Sequence, residues 1–203
     1  MPSLLLTGFQ PWDGLSTNPS WEHVKRYRAP LDVDWTVQRL ELPVDWQEAP
    51  AVLDRAVEEA KPLRAVLLTG VARGASEIRI EFFAQNSRNL QLPDATGRPP
   101  ESGIVVPDGP PTYCATLPVH EIVDAWHDEG IRGEISLDAG AYLCNAVFYH
   151  LMHRFAEDRY QPMIGFLHVP EEGVLPVAEV QRALSLAISV IMQAPEPVAE
   201  VLS

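Results

Sequence analysis

The chain has 203 residues, 46% of them hydrophobic, which is enough for one substantial core and makes a single domain the default. Its 15 Lys and Arg against 28 Asp and Glu leave a formal charge of −13, and no basic cluster is longer than Lys25-Arg26-Tyr27-Arg28, so a nucleic-acid or anionic-membrane surface is not expected. No apolar run approaches a membrane span, Cys114 and Cys144 make no disulfide framework, and Met1-Pro2-Ser3 opens no signal peptide, so a cytoplasmic protein with free thiols is expected.

Leu4-Leu5-Leu6 opens a short buried strand that ends at Thr7-Gly8, and the loop Phe9-Gln10-Pro11-Trp12-Asp13-Gly14 follows. Its two aromatics either cover the edge of the core or line a small apolar pocket. Asn18 is a helix cap and Pro19 suits a first turn, so a helix is expected from Ser20 to about Arg28. Val33 to Leu42 reads as a strand, with Val33, Trp35 and Val37 alternating against polar neighbours. Trp46 to Ala60 has helical apolar spacing and Pro62 stops it; Arg64 to Thr69 is a further buried strand closed by Gly70. This alternation predicts an α/β sheet covered on both faces. Ligands gather beyond the carboxyl ends of such strands, which puts the loops after Thr7-Gly8 and Thr69-Gly70 on one rim.

Ile78 to Asn86 is a strand candidate with Glu81 set among Ile80, Phe82 and Phe83. That carboxylate either faces solvent from an edge strand or orients a histidine; buried without a partner it would be costly. Residues 87–111 are rich in proline and glycine and carry no periodicity, as in functional loops, oligomer contacts or plain surface excursions. Leu117 to Glu129 predicts a helix with Ile122, Val123 and Trp126 inward, closed by Gly130, and Cys114 before it reads as structural. A strand from Glu134 to Leu137 and an Asp138-Ala139-Gly140 turn lead to a helix with Val147, Phe148, Leu151, Met152 and Phe155 on one side. Cys144 stands where that helix begins, where backbone N–H groups favour a thiolate. A cysteine is also a common buried hydrophobe, so its partners decide.

Met163 to Val169 is another short buried strand stopped by Pro170, with His168 at its carboxyl end on the expected rim. Val177 to Met192 is the last helix, and 193–203 is expected to be a flexible tail. His23, His120 and His127 fall on polar helix faces and are expected to be solvated; His150 and His153 lack a third ligand, so no metal site is expected. If their loops converge, Cys144, His168 and Glu81 supply a nucleophile, a proton carrier and a carboxylate to orient the ring.

Four motifs, in order, carry a family resemblance. They are Leu5-Leu6-Thr7-Gly8-Phe9-Gln10-Pro11-Trp12, Asn18-Pro19-Ser20, Ala139-Gly140-Ala141-Tyr142-Leu143-Cys144-Asn145 with Phe148-Tyr149, and Gly165-Phe166-Leu167-His168-Val169-Pro170. On these the chain resembles the pyroglutamyl peptidases, cysteine exopeptidases that remove an amino-terminal pyroglutamyl residue. The resemblance implies a single α/β domain with an open, twisted, mostly parallel sheet and helices on both faces. It implies Cys144 as nucleophile, His168 as general base and Glu81 as the residue positioning His168. Substrate contacts would come from Phe9, Trp12, Asn18, Gly70, Val71, Tyr142 and Leu143, with backbone partners for the lactam in the loop after Gly70. Neither cofactor nor metal is implied. The partners implied are pyroglutamyl peptides and further copies of the chain, as a tetramer or dimer.

Beyond an aromatic swap at Trp12, three departures from the family pattern matter. Val71 stands in place of Gln, Phe82 in place of the Arg after the carboxylate, and Gln91 in place of an Arg before the Pro-Asp pair. They keep two alternatives open: a lactam-binding homologue with weak or lost activity, and a cysteine amidase for another small cyclic acyl group.

Overall fold

In a computed structural model describing residues 1–30, 33–158 and 161–195, six strands form one sheet. β1 (Ser3–Phe9), β3 (Leu63–Ala72) and β8 (Met163–Pro170) lie side by side and parallel at its centre, and β2 (Thr36–Leu42) adds a parallel edge beyond β1. Beyond β8, β4 (Ile78–Glu81) runs antiparallel, and β7 (Gly133–Ser136) pairs parallel to β4 at the far edge. β1 and β8 are buried at every residue, as expected of central strands covered on both faces.

Alternate residues along these strands feed two cores, because successive side chains point to opposite faces. Leu4, Leu6, Ala65, Leu67, Leu167 and Val169 pack with α1 (Pro19–Arg26), α3 (Val119–Asp128) and α5 (Val177–Gln193). Leu5, Val66, Leu68, Ile164 and Phe166 pack with α2 (Glu48–Glu59) and α4 (Leu143–Phe155). The expected α/β sheet with helices on both faces is present, and its parallel pairs outnumber the antiparallel one.

Several expected boundaries move. The Thr-Gly pairs lie inside strands rather than closing them: β1 continues to Phe9, and β3 runs on through Val71 and Ala72, paired with Val169 and Pro170. β2 begins only at Thr36. α2 begins at Glu48 because Asp45 Oδ1 accepts the N–H groups of Gln47 and Glu48 at 2.8 and 2.9 Å, which leaves Trp46 in the turn. α3 starts after Pro118. The Ile78–Asn86 stretch is two strands, since Phe82 passes the chain from one pairing to another. Its N–H bonds Ser136 O, its carbonyl accepts Ala115 N–H, and β5 (Phe83–Gln85) then pairs with β6 (Thr112–Cys114). Cys114 in that ribbon is exposed rather than a core residue. The expected tail lies, from residue 196 on, outside the described residues.

Residues 87–111 carry no helix or strand, yet polar side chains, half-buried Asn86 and buried Asp94, organise them. Asn86 Oδ1 accepts the N–H groups of Val105 and Val106, both at 2.9 Å. Asp94 Oδ1 accepts from Thr96 N, Thr96 Oγ1 and Arg98 N, and its Oδ2 from Trp46 N. Asn89 N–H bonds Ala141 O, which joins the excursion to the turn before Cys144.

Candidate active site

The turn into α4 is built by Asp138, whose Oδ1 accepts Gly140 N–H at 2.9 Å, and by Gly140 itself at φ 78°, a left-handed conformation that favours glycine. Tyr142 is the N-cap and makes no side-chain capping bond; the first amide with an acceptor in that turn is Ala146, bonded to Tyr142 O. The N–H groups of Leu143, Cys144 and Asn145 therefore point out of the helix without intrahelical partners. Cys144 is half-buried there. Asn145, fully buried, anchors the helix start: its Oδ1 accepts Gln85 N–H, and its Nδ2 donates to Gln85 O and Ser87 O.

His168, near the carboxyl end of β8, is 5% exposed, and its Nδ1 lies 2.7 Å from Glu81 Oε1. Glu81 is buried inside the sheet and does not face solvent from an edge. Its backbone stands opposite Phe166, so the carboxylate reaches the imidazole diagonally across the β4–β8 pair. Glu81 Oε2 has no hydrogen-bond partner among the described residues, which leaves the imidazole as the one hydrogen-bonded partner of that carboxylate there.

Electrostatics follow from this packing. Burial alone would depress His168, but the Cys144 sulfur, by charge and by a hydrogen bond, and the Glu81 carboxylate outweigh it and raise its pKa to about 9. The ring is thus held as an imidazolium facing the Cys144 sulfur. Burial, with the nearby Asp94 and Cys144 charges, pushes Tyr142 up to about 12, so its phenol stays neutral and donates to Pro93 O at 3.0 Å. Burial would raise Asp94 too, but the hydrogen bonds it accepts hold its carboxyl below the ordinary range.

Two depressions meet at the sulfur. One is a narrow, mostly apolar recess lined by Phe9, Trp12, Asn18, Val44, Val71, Tyr142, Leu143 and Cys144. The other is an open cleft of about 640 Å³ that shares Trp12, Val71, Tyr142 and Cys144 with the recess and adds Glu81, His168 and the wall Leu92-Pro93-Asp94-Ala95. A carbonyl carbon at the sulfur would therefore have its acyl part in the recess and its leaving group in the cleft, beside His168.

The family model for pyroglutamyl peptidase matches residues 2–201. The chain belongs to the pyroglutamyl peptidase family. It is 41% identical over 170 residues to the pyrrolidone-carboxylate peptidase of Clavibacter michiganensis, covering 84% of this chain and 79% of that one. With that of Klebsiella pneumoniae it shares 36% identity over 203 residues, covering 95% and 94%. The crystal structure of pyroglutamyl peptidase I from Bacillus amyloliquefaciens superposes with a TM-score of 0.87 at 29% identity, covering 95% of each chain.

Within this pyroglutamyl peptidase fold, six of the seven residues expected to contact substrate line the recess: Phe9, Trp12, Asn18, Val71, Tyr142 and Leu143. The seventh, Gly70, lies under the sulfur. Val71 belongs to β3 itself and not to a loop after Gly70. Asn18 is mainly a scaffold: its Oδ1 caps α1 through Ser20 N and its Nδ2 donates to Gln10 O, pinning the 10–18 loop. Of the three departures, only Val71 lines the recess or cleft; Phe82 packs into the other core, and Gln91 is exposed.

Sequence reasoning missed Val44 and Trp46. Val44 closes the recess, and Trp46 packs edge-on against Tyr142 with ring centres 5.2 Å apart. Their only signal was an apolar pair just before a helix. Sequence reasoning also misjudged His23, which is buried and whose Nδ1 accepts from Gln181 Nε2 at 2.8 Å. His120 and His127 are exposed as expected, while His150 meets Asp54 and His153 meets Tyr113. Among the described residues, no group of three or more His, Cys, Asp or Glu is placed to hold a metal ion.

Proposed function

We propose that this chain hydrolyses the amide bond following an amino-terminal pyroglutamyl residue, with Cys144 as nucleophile, His168 as proton carrier and Glu81 as its positioning partner. The observation that carries the reading is the Cys144 sulfur at the junction of recess and cleft, with the His168–Glu81 pair on the cleft side only. A flat, neutral lactam suits a slot walled by Phe9, Trp12, Val44 and Leu143.

The thiolate adds to the scissile carbonyl carbon, and the new oxyanion faces the free N–H groups at the start of α4, each good donor contributing about 3 kcal/mol. The imidazolium gives its proton to the leaving amine as the C–N bond breaks, which leaves a pyroglutamyl thioester on Cys144. Neutral His168 then takes a proton from water as its oxygen attacks the thioester. Collapse of that intermediate breaks the C–S bond, releases pyroglutamate and restores the ion pair. Glu81 fixes the ring's orientation and steadies its charge throughout.

The test is turnover of a chromogenic pyroglutamyl amide by Cys144→Ala, where a loss of about a thousandfold or more is expected. Turnover near the wild-type rate in that variant would end the reading. The resemblance further supports a cytoplasmic enzyme assembled as a tetramer or dimer, and the exposed Leu90, Leu92 and Ile104 of the 87–111 excursion offer apolar surface for such contacts. Sedimentation velocity checks the assembly.

A further inference from the structure

Arg79 has no part in the chemistry above, yet it lines the cleft that holds Cys144 and His168. It is two residues from Glu81 on the same face of β4, and its backbone stands directly opposite His168. The guanidinium thus rises beside the imidazole, on the side where the departing amine and the residue attached to it must lie. Glu134 Oε1 accepts its Nε–H at 2.9 Å, while its two Nη groups make no hydrogen bond among the described residues. An arginine held by one edge keeps the other end of its fork free for a second carboxylate.

The remaining charges of the cleft narrow the choice of ligand. Arg73, its other arginine, is occupied on the acyl side: it pairs with Asp13 at 2.7 Å and lies 5.1 Å from the Trp12 ring centre. Asp94 and Asp138 also line the cleft, and the Asp138 carboxylate already accepts Gly140 N–H and Gln85 Nε2–H. An acidic group on the leaving residue is repelled by those carboxylates and, with His168 engaged by Glu81 and Arg73 by Asp13, meets one guanidinium with a free edge, that of Arg79.

Resting on the hydrolase reading, we propose that Arg79 is a specificity residue of the leaving-group side, binding a carboxylate on the residue that follows pyroglutamate. The carboxylate is either that residue's acidic side chain or, in a dipeptide, its own α-carboxylate. Arg79 and Glu134 are 36% and 45% exposed, so solvent weakens the contact and a preference of about fivefold is expected.

Two matched pairs distinguish the sources: pyroglutamyl-Glu amide against pyroglutamyl-Gln amide, and pyroglutamyl-Ala against its amide. Wild type is expected to favour the carboxylate member of at least one pair in kcat/KM, Arg79→Gln to bring that ratio to one or below, and added salt to shrink it. Equal ratios in wild type and Arg79→Gln overturn the proposal. Dissociation constants for the same pairs, measured calorimetrically in Cys144→Ala with and without Arg79→Gln, give the same ratio without chemistry. A preference there that depends on Arg79, alongside no wild-type turnover, would sink the hydrolase reading and leave this one standing. Undiscriminating binding, or none, sinks this one.

Discussion

The sulfur of Cys144 rests against the backbone of Gly70, so closely that a β-carbon on Gly70 would stand 2.7 Å from it and 2.8 Å from the buried ring of Phe166. The central strand thus has no side chain where the nucleophile needs room, and neither neighbour is the free end of a flexible chain. Gly70→Ala is expected to cost about 1–3 kcal/mol through overpacking. Displacing the sulfur should also lower kcat by about a hundredfold. Denaturant unfolding and steady-state kinetics on one sample check both, and a folded variant with wild-type kcat contradicts the geometry.

The pH profile follows from the proton on His168. Burial opposes the charge on His168, but Cys144 and Glu81 overcome it, so its pKa of about 9 lies above the ordinary 6.5. The contribution of the protonated ring to stability is full below about 6.5 and is lost as pH rises through about 9. The proton for the leaving amine is lost over the same upper limb, so kcat/KM is expected to fall near pH 9. Glu81→Gln removes one of the charges holding that proton. It should move the limb to lower pH and lower kcat by about 10²–10⁴, by analogy with triad carboxylates. An unmoved limb in that variant would mean that Glu81 does not tune the ring.

His23 behaves in the opposite sense. Burial chiefly, with Arg26 beside it and against the pull of Glu22, lowers its pKa to about 4. Its neutral ring is what packs between α1 and α5, joined to Gln181. The stability this carries is complete above about 6.5 and is lost as pH falls toward about 4. His23→Gln should therefore lose less stability than wild type between pH 7 and pH 4.5 in matched urea titrations. Parallel losses in the two proteins would contradict the assignment.

Asn145 holds the start of α4 through three hydrogen bonds to Gln85 and Ser87. Truncation leaves backbone groups of both residues unpaired in a buried site, so Asn145→Ala is expected to cost about 2–4 kcal/mol. Asn145→Asp keeps the bond to Gln85 N–H but sets an acceptor against two carbonyl oxygens and a charge beside Cys144. It should impair kcat more than its stability loss explains. Urea midpoints and kcat for the pair of variants test this.

Cys144 was legible from sequence because its setting is local: a glycine turn, then apolar residues three and four apart, define a helix start without reference to distant residues. His168 was legible as the polar residue near the end of an apolar strand. Phe9 and Trp12 were open between core cover and pocket wall, while Val71 and Leu143 could be named beforehand only by likeness to a family, since no spacing links them to the loop after β1. Glu81 was ambiguous, because a carboxylate among Ile80, Phe82 and Phe83 reads equally as an edge residue.

Periodicity by itself determined the helices, the central strands and the two-faced covering of the sheet, because those patterns arise from side chains only a few residues apart; it gave neither the break at Phe82 nor the short β6. Tertiary structure alone decided that β4 inserts antiparallel between β8 and β7, which buries Glu81 against an imidazole 87 positions away and stands Arg79 beside it. Strand order and direction depend on how whole layers pack against one another, and no short stretch of sequence carries that information.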